Sequence, residues 1–192
     1  MCDLAGRGLV GGYLLLNAAG RPLEFHCTAP VRPSRAQEIL YGPTLQPFLY
    51  GEQIGRALLE KTTAKPVAVF VDAEALLAAQ AFVDAPLAVV HAGDRAGGDK
   101  GHGDSAMSAS GAIGPPKFHC FRLNDCTIAL PAVRRGDEAT IVERITSISA
   151  AFDLAEPFER IREAVGEAHR DATTRTTGTP VASAVESVAD AA

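Results

Sequence analysis

The sequence predicts an α+β or α/β domain, with a mixed sheet built from two β-hairpins and one or two central apolar strands. Two stretches, 9–29 and 118–130, show the alternation and the central turn of β-hairpins. Between them, the run 66–71 is uninterruptedly apolar, which is typical of a strand buried on both faces. Apolar residues at helical spacing elsewhere predict helices that pack on the sheet.

Length and composition predict one domain with irregular segments. The chain has 192 residues, of which 47% are hydrophobic. A chain of this length buries a core without disulfides or metal. We expect a single globular domain over 6–171, interrupted by a flexible Gly-rich insertion at 92–116 and followed by a disordered tail at 172–192.

The composition also argues against several classes of protein. Four irregularly spaced cysteines favour a reducing compartment over a disulfide scaffold. The sequence shows no secretory apolar region, no run of roughly 20 apolar residues and no lipidation box, so we expect a cytoplasmic protein without a membrane anchor. The net charge is −5 and no basic stripe interleaves with aromatic residues, which argues against nucleic-acid binding.

The first hairpin is predicted around the turn 17–20, where Gly20 supplies a left-handed residue. Alternation along the returning strand then places Leu23, Phe25 and Cys27 on one face. We expect this apolar face to be buried, with Cys27 as a small core residue. The opposite face carries Glu24 and His26.

Two helices are expected after this hairpin. A capping box at Ser34 and Gln37 opens the first, which runs through Tyr41 before Gly42-Pro43 ends it. The second begins at Thr44 and ends at about Lys61.

Gly51 and Gly55 lie four residues apart in the second predicted helix, and each costs it about 1 kcal/mol relative to Ala. Two such costs predict a flat face where another backbone packs closely, either inside the domain or across a dimer interface. The charged residues of this segment exclude a membrane-helix pair.

The apolar strand 66–71 is followed by a short helical pattern at 73–82 and a second apolar strand at 87–90. This order predicts a compact βαβ unit with parallel strands and a crossover near the minimum length. The alternative is that the short helix is only a turn and that the two strands are antiparallel.

Asp72 and His91 follow these two strands directly. In open α/β sheets, ligands bind outside the carboxyl ends of strands, so the two side chains are candidates for an acid–base pair under the insertion at 92–116. The simpler alternative is that Asp72 caps the following helix and that His91 merely ends a strand.

The second hairpin is predicted around a two-residue turn at Asn124-Asp125, which opposes Leu123 to Cys126. In this register Cys120 lies on the other face from Cys126, so the two share neither a disulfide nor a metal. His119 falls on the more apolar face. Two further helices follow, over 137–152 and after a capping box at 153–156.

The tripeptide Phe-His-Cys occurs twice and makes His26 and His119 the candidates for metal binding. A zinc site needs about four ligands, usually with Cys-x-x-Cys-type spacing, and no such spacing occurs. We therefore expect structural roles for Cys27, Cys120 and Cys126, and neither a metal nor a cofactor.

The absence of a complete catalytic constellation favours a non-enzymatic interaction or assembly protein. We expect a homo-oligomer or another protein partner, reached through the Gly51/Gly55 helix face or a sheet edge. The alternative is a small enzyme that uses Asp72 and His91. In topology alone, without a shared motif, the order of elements is similar to that of small adaptor domains of the roadblock or longin type.

Overall fold

The computed structural model describes residues 1–4, 7–92, 117–146 and 153–177. The predicted insertion therefore lies outside the described residues from 93 to 116, and the predicted tail lies outside them from 178 to 192. The strands are β1 (Cys2–Leu4), β2 (Gly8–Val10), β3 (Gly12–Leu16), β4 (Pro22–Cys27), β5 (Val69–Val71), β6 (Leu87–Ala92), β7 (Phe118–Leu123) and β8 (Cys126–Pro131). The α-helices are α1 (Arg35–Tyr41), α2 (Leu45–Pro47), α3 (Arg56–Leu59), α4 (Asp137–Thr146) and α5 (Glu156–Thr177).

The described strands form three sheets, and with the helices they confirm the α+β class. β1 pairs with β2 and β3 pairs with β4, each as an antiparallel pair. The third sheet has the order β5-β6-β8-β7, with β5 and β6 parallel and the other neighbours antiparallel. Because β5 and β6 are parallel, the βαβ alternative is correct and the antiparallel one is wrong. The helix that connects the two strands is a 3₁₀-helix over Glu74–Phe82.

The second hairpin has the predicted register. Leu123 is opposite Cys126 and Cys120 is opposite Ala129, with Asn124 at φ 53° in the turn. Cys126 is buried, as predicted. Cys120 is exposed on the edge strand β7, so the structure does not place it in the core.

The first hairpin has the predicted turn but the opposite orientation. Gly20 takes φ 72°, as the turn requires. Leu23 is 59% exposed and Phe25 is 37% exposed, so the expectation that their face is buried is wrong, and Cys27 is only half-buried. The hairpin is also shorter than predicted, because residues 8–10 pair with β1 instead.

One continuous helical path covers residues 45–59, as expected, but its middle is π-helical over Phe48–Gly55. Gly51 and Gly55 are buried there against the 3₁₀-helix. A Cβ added to Gly51 would lie 2.4 Å from the Cβ of Ala78, and one added to Gly55 would lie 2.8 Å from the Cβ of Ala79. Of the two alternatives for the glycine face, the structure shows packing inside the domain.

The core occupies both faces of the four-stranded sheet, because successive residues of a strand point to opposite sides. On one face, Ile128 and Leu130 pack with Ile141 and Ile145 of α4. On the other, Val69, Val71, Leu87 and Val89 pack with the 3₁₀-helix. α5 starts beside Asp153, whose carboxylate accepts from the backbone N–H of Ala155 at 2.9 Å.

The helix α5 continues to Thr177, which is beyond the predicted end of the domain at residue 171. Residues 172–177, predicted as the start of the tail, are therefore helical. Of the predicted helix 137–152, α4 is described over Asp137–Thr146, and 147–152 lie outside the described residues.

Candidate functional site

Asp72 lies just after β5, where the sequence predicts it, but it does not cap the following helix. The cap position belongs to Ala73, which makes no side-chain bond. The Asp72 carboxylate instead accepts from the amino group of Met1, at 3.1 and 3.0 Å, and from Nη2 of Arg162 at 3.1 Å. Its side chain is 16% exposed. The capping alternative is therefore wrong, and Asp72 is a partly buried anion between two cations.

His91 lies near the end of β6, opposite Thr127 of β8. The parallel register sets Val71 beside Val89, so His91 lies further along its strand than Asp72 does. Among the residues that the structure describes, no hydrogen bond or ion pair joins Asp72 to His91, and the proposed cover lies outside that set from residue 93 onward. The acid–base pair stays a prediction.

His26 and His119 each contact a single carboxylate. Nε2 of His26 lies 3.3 Å from Glu24, and Nε2 of His119 lies 2.6 Å from Glu138. Within the described part of the chain, no group of three or more His, Cys, Asp or Glu residues is arranged to hold a metal ion. The two histidines belong to different hairpins, and each side chain has one acidic partner.

Glu24 anchors β4 through long-range hydrogen bonds that the sequence did not predict. Its carboxylate accepts from the backbone N–H groups of Thr63 at 3.1 Å and Ala64 at 3.2 Å, and from the hydroxyl of Thr63. The hydrogen bond from the Thr63 hydroxyl lowers the pKa of Glu24 most, and the bond from the Thr63 backbone N–H is next. Desolvation opposes these effects and His26 adds to them, so that the pKa is lowered to about 2. These bonds fix β4 to the segment after α3.

The structure also contains a cavity of about 210 Å³ that the sequence did not predict. It lies between β3 and β5, and its walls include the consecutive residues 12–17 and 66–72. Apolar side chains line most of it, from α3 (Leu58 and Leu59) and from α5 (Phe158 and Ile161).

A few polar groups also line this cavity. Met1 and Asp72 border it together, joined by the ion pair described above. Tyr13 also borders it, and burial raises the pKa of the Tyr13 phenol, against the opposing effect of the Thr62 hydroxyl. Burial also raises the pKa of Tyr50, with the charges of Asp3 and Asp72 as further causes.

Comparison of the chain with protein-family models, with curated proteins and with solved structures finds no match. The topological similarity to roadblock and longin domains thus stays an analogy. No helix in the described ranges is both long enough and apolar enough to span a bilayer.

Proposed function

We propose that this chain is a non-enzymatic interaction or assembly protein and that α1 carries its contact surface. The observation behind this proposal is that α1 contains no buried residue. Its two large aliphatic side chains, Ile39 and Leu40, are 67% and 81% exposed.

A seven-residue helix of this kind has little reason to be stable alone. Isolated helices shorter than about 12–15 residues are marginal in water, and most helices in proteins are stabilised by packing an apolar face. The capping box of Ser34 and Gln37 contributes about 1 kcal/mol of the missing stability. Packing of Ile39 and Leu40 against apolar side chains of a partner would supply the rest.

The partner that we assign is a second copy of the chain. In a two-fold symmetric pair the same patch serves both protomers, so Ile39 and Leu40 of each copy would be covered by apolar side chains of the other. The contacts of Asp72 also favour a non-enzymatic role, since its carboxylate is already engaged by two cationic groups.

Native mass spectrometry of the purified protein and of Leu40→Ser tests this proposal. The matched control is Val133→Ser, because Val133 is a 93% exposed aliphatic residue of a different element, the short 3₁₀-helix Ala132–Arg134. We expect a dimer for the unmodified chain and for Val133→Ser, and a monomer for Leu40→Ser. A dimer that survives Leu40→Ser and Ile39→Ser would place the interface elsewhere. A monomer at every concentration would contradict self-assembly.

A further inference from the structure

We infer that the cavity between β3 and β5 is a slot for an extended segment of another protein, which would hydrogen-bond to both strands and join the two sheets. This binding site is separate from α1 and does not depend on the function proposed above.

Both walls of the slot are edges of sheets. Among the described residues, β3 pairs only with β4, and β5 pairs only with β6. Both edges border the same cavity over consecutive residues, 12–17 and 66–72. The strand residues along these edges are Gly12–Leu16 of β3 and Val69–Val71 of β5, which extend over roughly 16 and 10 Å at about 3.3 Å per residue.

The backbone of β3 directs polar groups toward the cavity. The N–H of Thr28 donates to the carbonyl of Gly11 at 3.0 Å, so Gly11 belongs to a hydrogen-bonded pair with β4. In an antiparallel ladder the two kinds of pair alternate, and therefore Gly12 and Leu14 direct their N–H and C=O groups away from β4.

The backbone of β5 does the same from the opposite wall. The N–H of Val69 donates to the carbonyl of Pro86 at 2.8 Å, toward the β6 side. Alternate residues of a parallel edge strand direct both groups outward, and here that residue is Phe70. No other described residue hydrogen-bonds to the outward backbone groups of Gly12, Leu14 or Phe70.

The remaining two sides of the slot are apolar. A Cβ on Gly11 would meet Ile54 and Leu58, whereas a Cβ on Gly12 would meet Ile161 and Val165. Adjacent residues of a strand point to opposite faces, so the helical path 45–59 and α5 cover opposite faces of β3. The slot therefore has hydrogen-bonding walls and an apolar floor and roof.

Hydrogen-bonding walls with an apolar floor and roof favour the binding of a peptide over that of a hydrocarbon. An alkyl chain would match the floor and roof but would leave the outward N–H and C=O groups unpaired. An extended peptide offers alternating donors and acceptors along both edges, as in recognition by β-strand addition. The cavity of about 210 Å³ is larger than the roughly 150 Å³ that holds a benzene ring, which leaves room for a short segment with small side chains.

The experiment uses the full chain and a blocked synthetic peptide of alternating Val and Ser residues. Its matched control is the same peptide N-methylated at alternate positions, which keeps the side chains but removes backbone donors. 1-Octanol serves as the hydrocarbon probe. Amide hydrogen exchange read by NMR reports on Leu14 and Phe70, with Tyr13 and Val71 as inward-facing references in the same strands.

We expect the unmodified peptide to slow exchange at Leu14 and Phe70 by at least about tenfold, with little change at Tyr13 and Val71. The N-methylated peptide and 1-octanol should not do so. Equal protection by either of these probes, or none by the peptide at saturation, would overturn the inference.

A second test fills the slot by enlarging a side chain that borders it. Ala68 borders the cavity and is half-buried, so Ala68→Phe should block the peptide while the thermal unfolding midpoint shows that the fold is kept. If Ala68→Phe does not fold, Ala68→Leu is the smaller replacement. Leu40→Ser should bind the peptide normally, which separates this inference from the proposal on α1. Unchanged peptide binding by both folded Ala68 variants would also overturn it.

Discussion

Replacing Gly51 by alanine should destabilise the protein although it improves the helix. The new Cβ would lie 2.4 Å from the Cβ of Ala78 and 2.9 Å from both the carbonyl carbon of Ala78 and the backbone nitrogen of Ala79. Carbon atoms in contact normally lie about 3.5–4.0 Å apart. Two of these three contacts are backbone atoms, so the 3₁₀-helix would have to move as a unit.

The expected magnitude follows from two opposing terms. Alanine in a helix is favoured over glycine by about 1 kcal/mol, whereas overpacking a tight core typically costs about 1–3 kcal/mol. The difference is a net loss of up to about 2 kcal/mol in the free energy of unfolding, and the contacts with backbone atoms place Gly51→Ala toward the upper end of that range. Gly166→Ala is the matched control: Gly166 lies in α5 with nothing within 4 Å of the added Cβ, so this variant should gain about 0.5–1 kcal/mol.

Urea unfolding of both variants measures these changes, provided that the m-value stays constant. Opposite signs for Gly51→Ala and Gly166→Ala would support close packing at Gly51. Adding Ala78→Gly to Gly51→Ala should restore only part of the loss, because the 2.9 Å backbone contacts remain. A gain of stability in both single variants would refute the reasoning.

Three further outcomes are expected. Glu24→Gln should be less stable than the unmodified chain at neutral pH, because the pKa of Glu24 is lowered to about 2 in the folded state. This difference in stability should disappear as the pH falls from about 4.5 to about 2. Urea unfolding across this pH range measures it, with the exposed Glu52→Gln as the control. A double-mutant cycle of Asp72→Asn and Arg162→Ala should give a coupling of at most about 1 kcal/mol, since Arg162 is half-exposed, and a larger value would contradict this view of the pair. Leu130→Ala should cost about 2–5 kcal/mol in urea unfolding, because Leu130 is fully buried between the sheet and α4; a loss below 1 kcal/mol would contradict that packing.

Local patterns were sufficient to predict the elements that depend on neighbours in the chain. The turn at Asn124-Asp125 sets the register of β7 and β8, and alternation then separates Cys120 from Cys126 without reference to the rest of the fold. The capping box at Ser34 is local in the same sense, since its two bonds join residues three positions apart.

The orientation of the first hairpin could not be predicted, because contacts distant in sequence decide it. Glu24 binds Thr63, which is 39 residues away, and this bond holds the polar face of β4 against the end of α3. The alternation was correct, but hydrophobicity alone placed Leu23 and Phe25 on the wrong side. The partners of Asp72 are similarly remote: Met1 is 71 residues away and Arg162 is 90 residues away.

The unpaired edges of β3 and β5 affect how the chain can associate with other proteins. Unpaired strand edges are sites of unwanted association, and proteins usually cover them or close them. Here α3 and α5 bring apolar side chains to the cavity between the two edges, with Leu58 from one helix and Ile161 from the other. We expect helices on both faces to exclude the edge of a broad sheet and to admit only a single narrow strand. The same packing that protects these edges would thus make the slot selective for one extended segment.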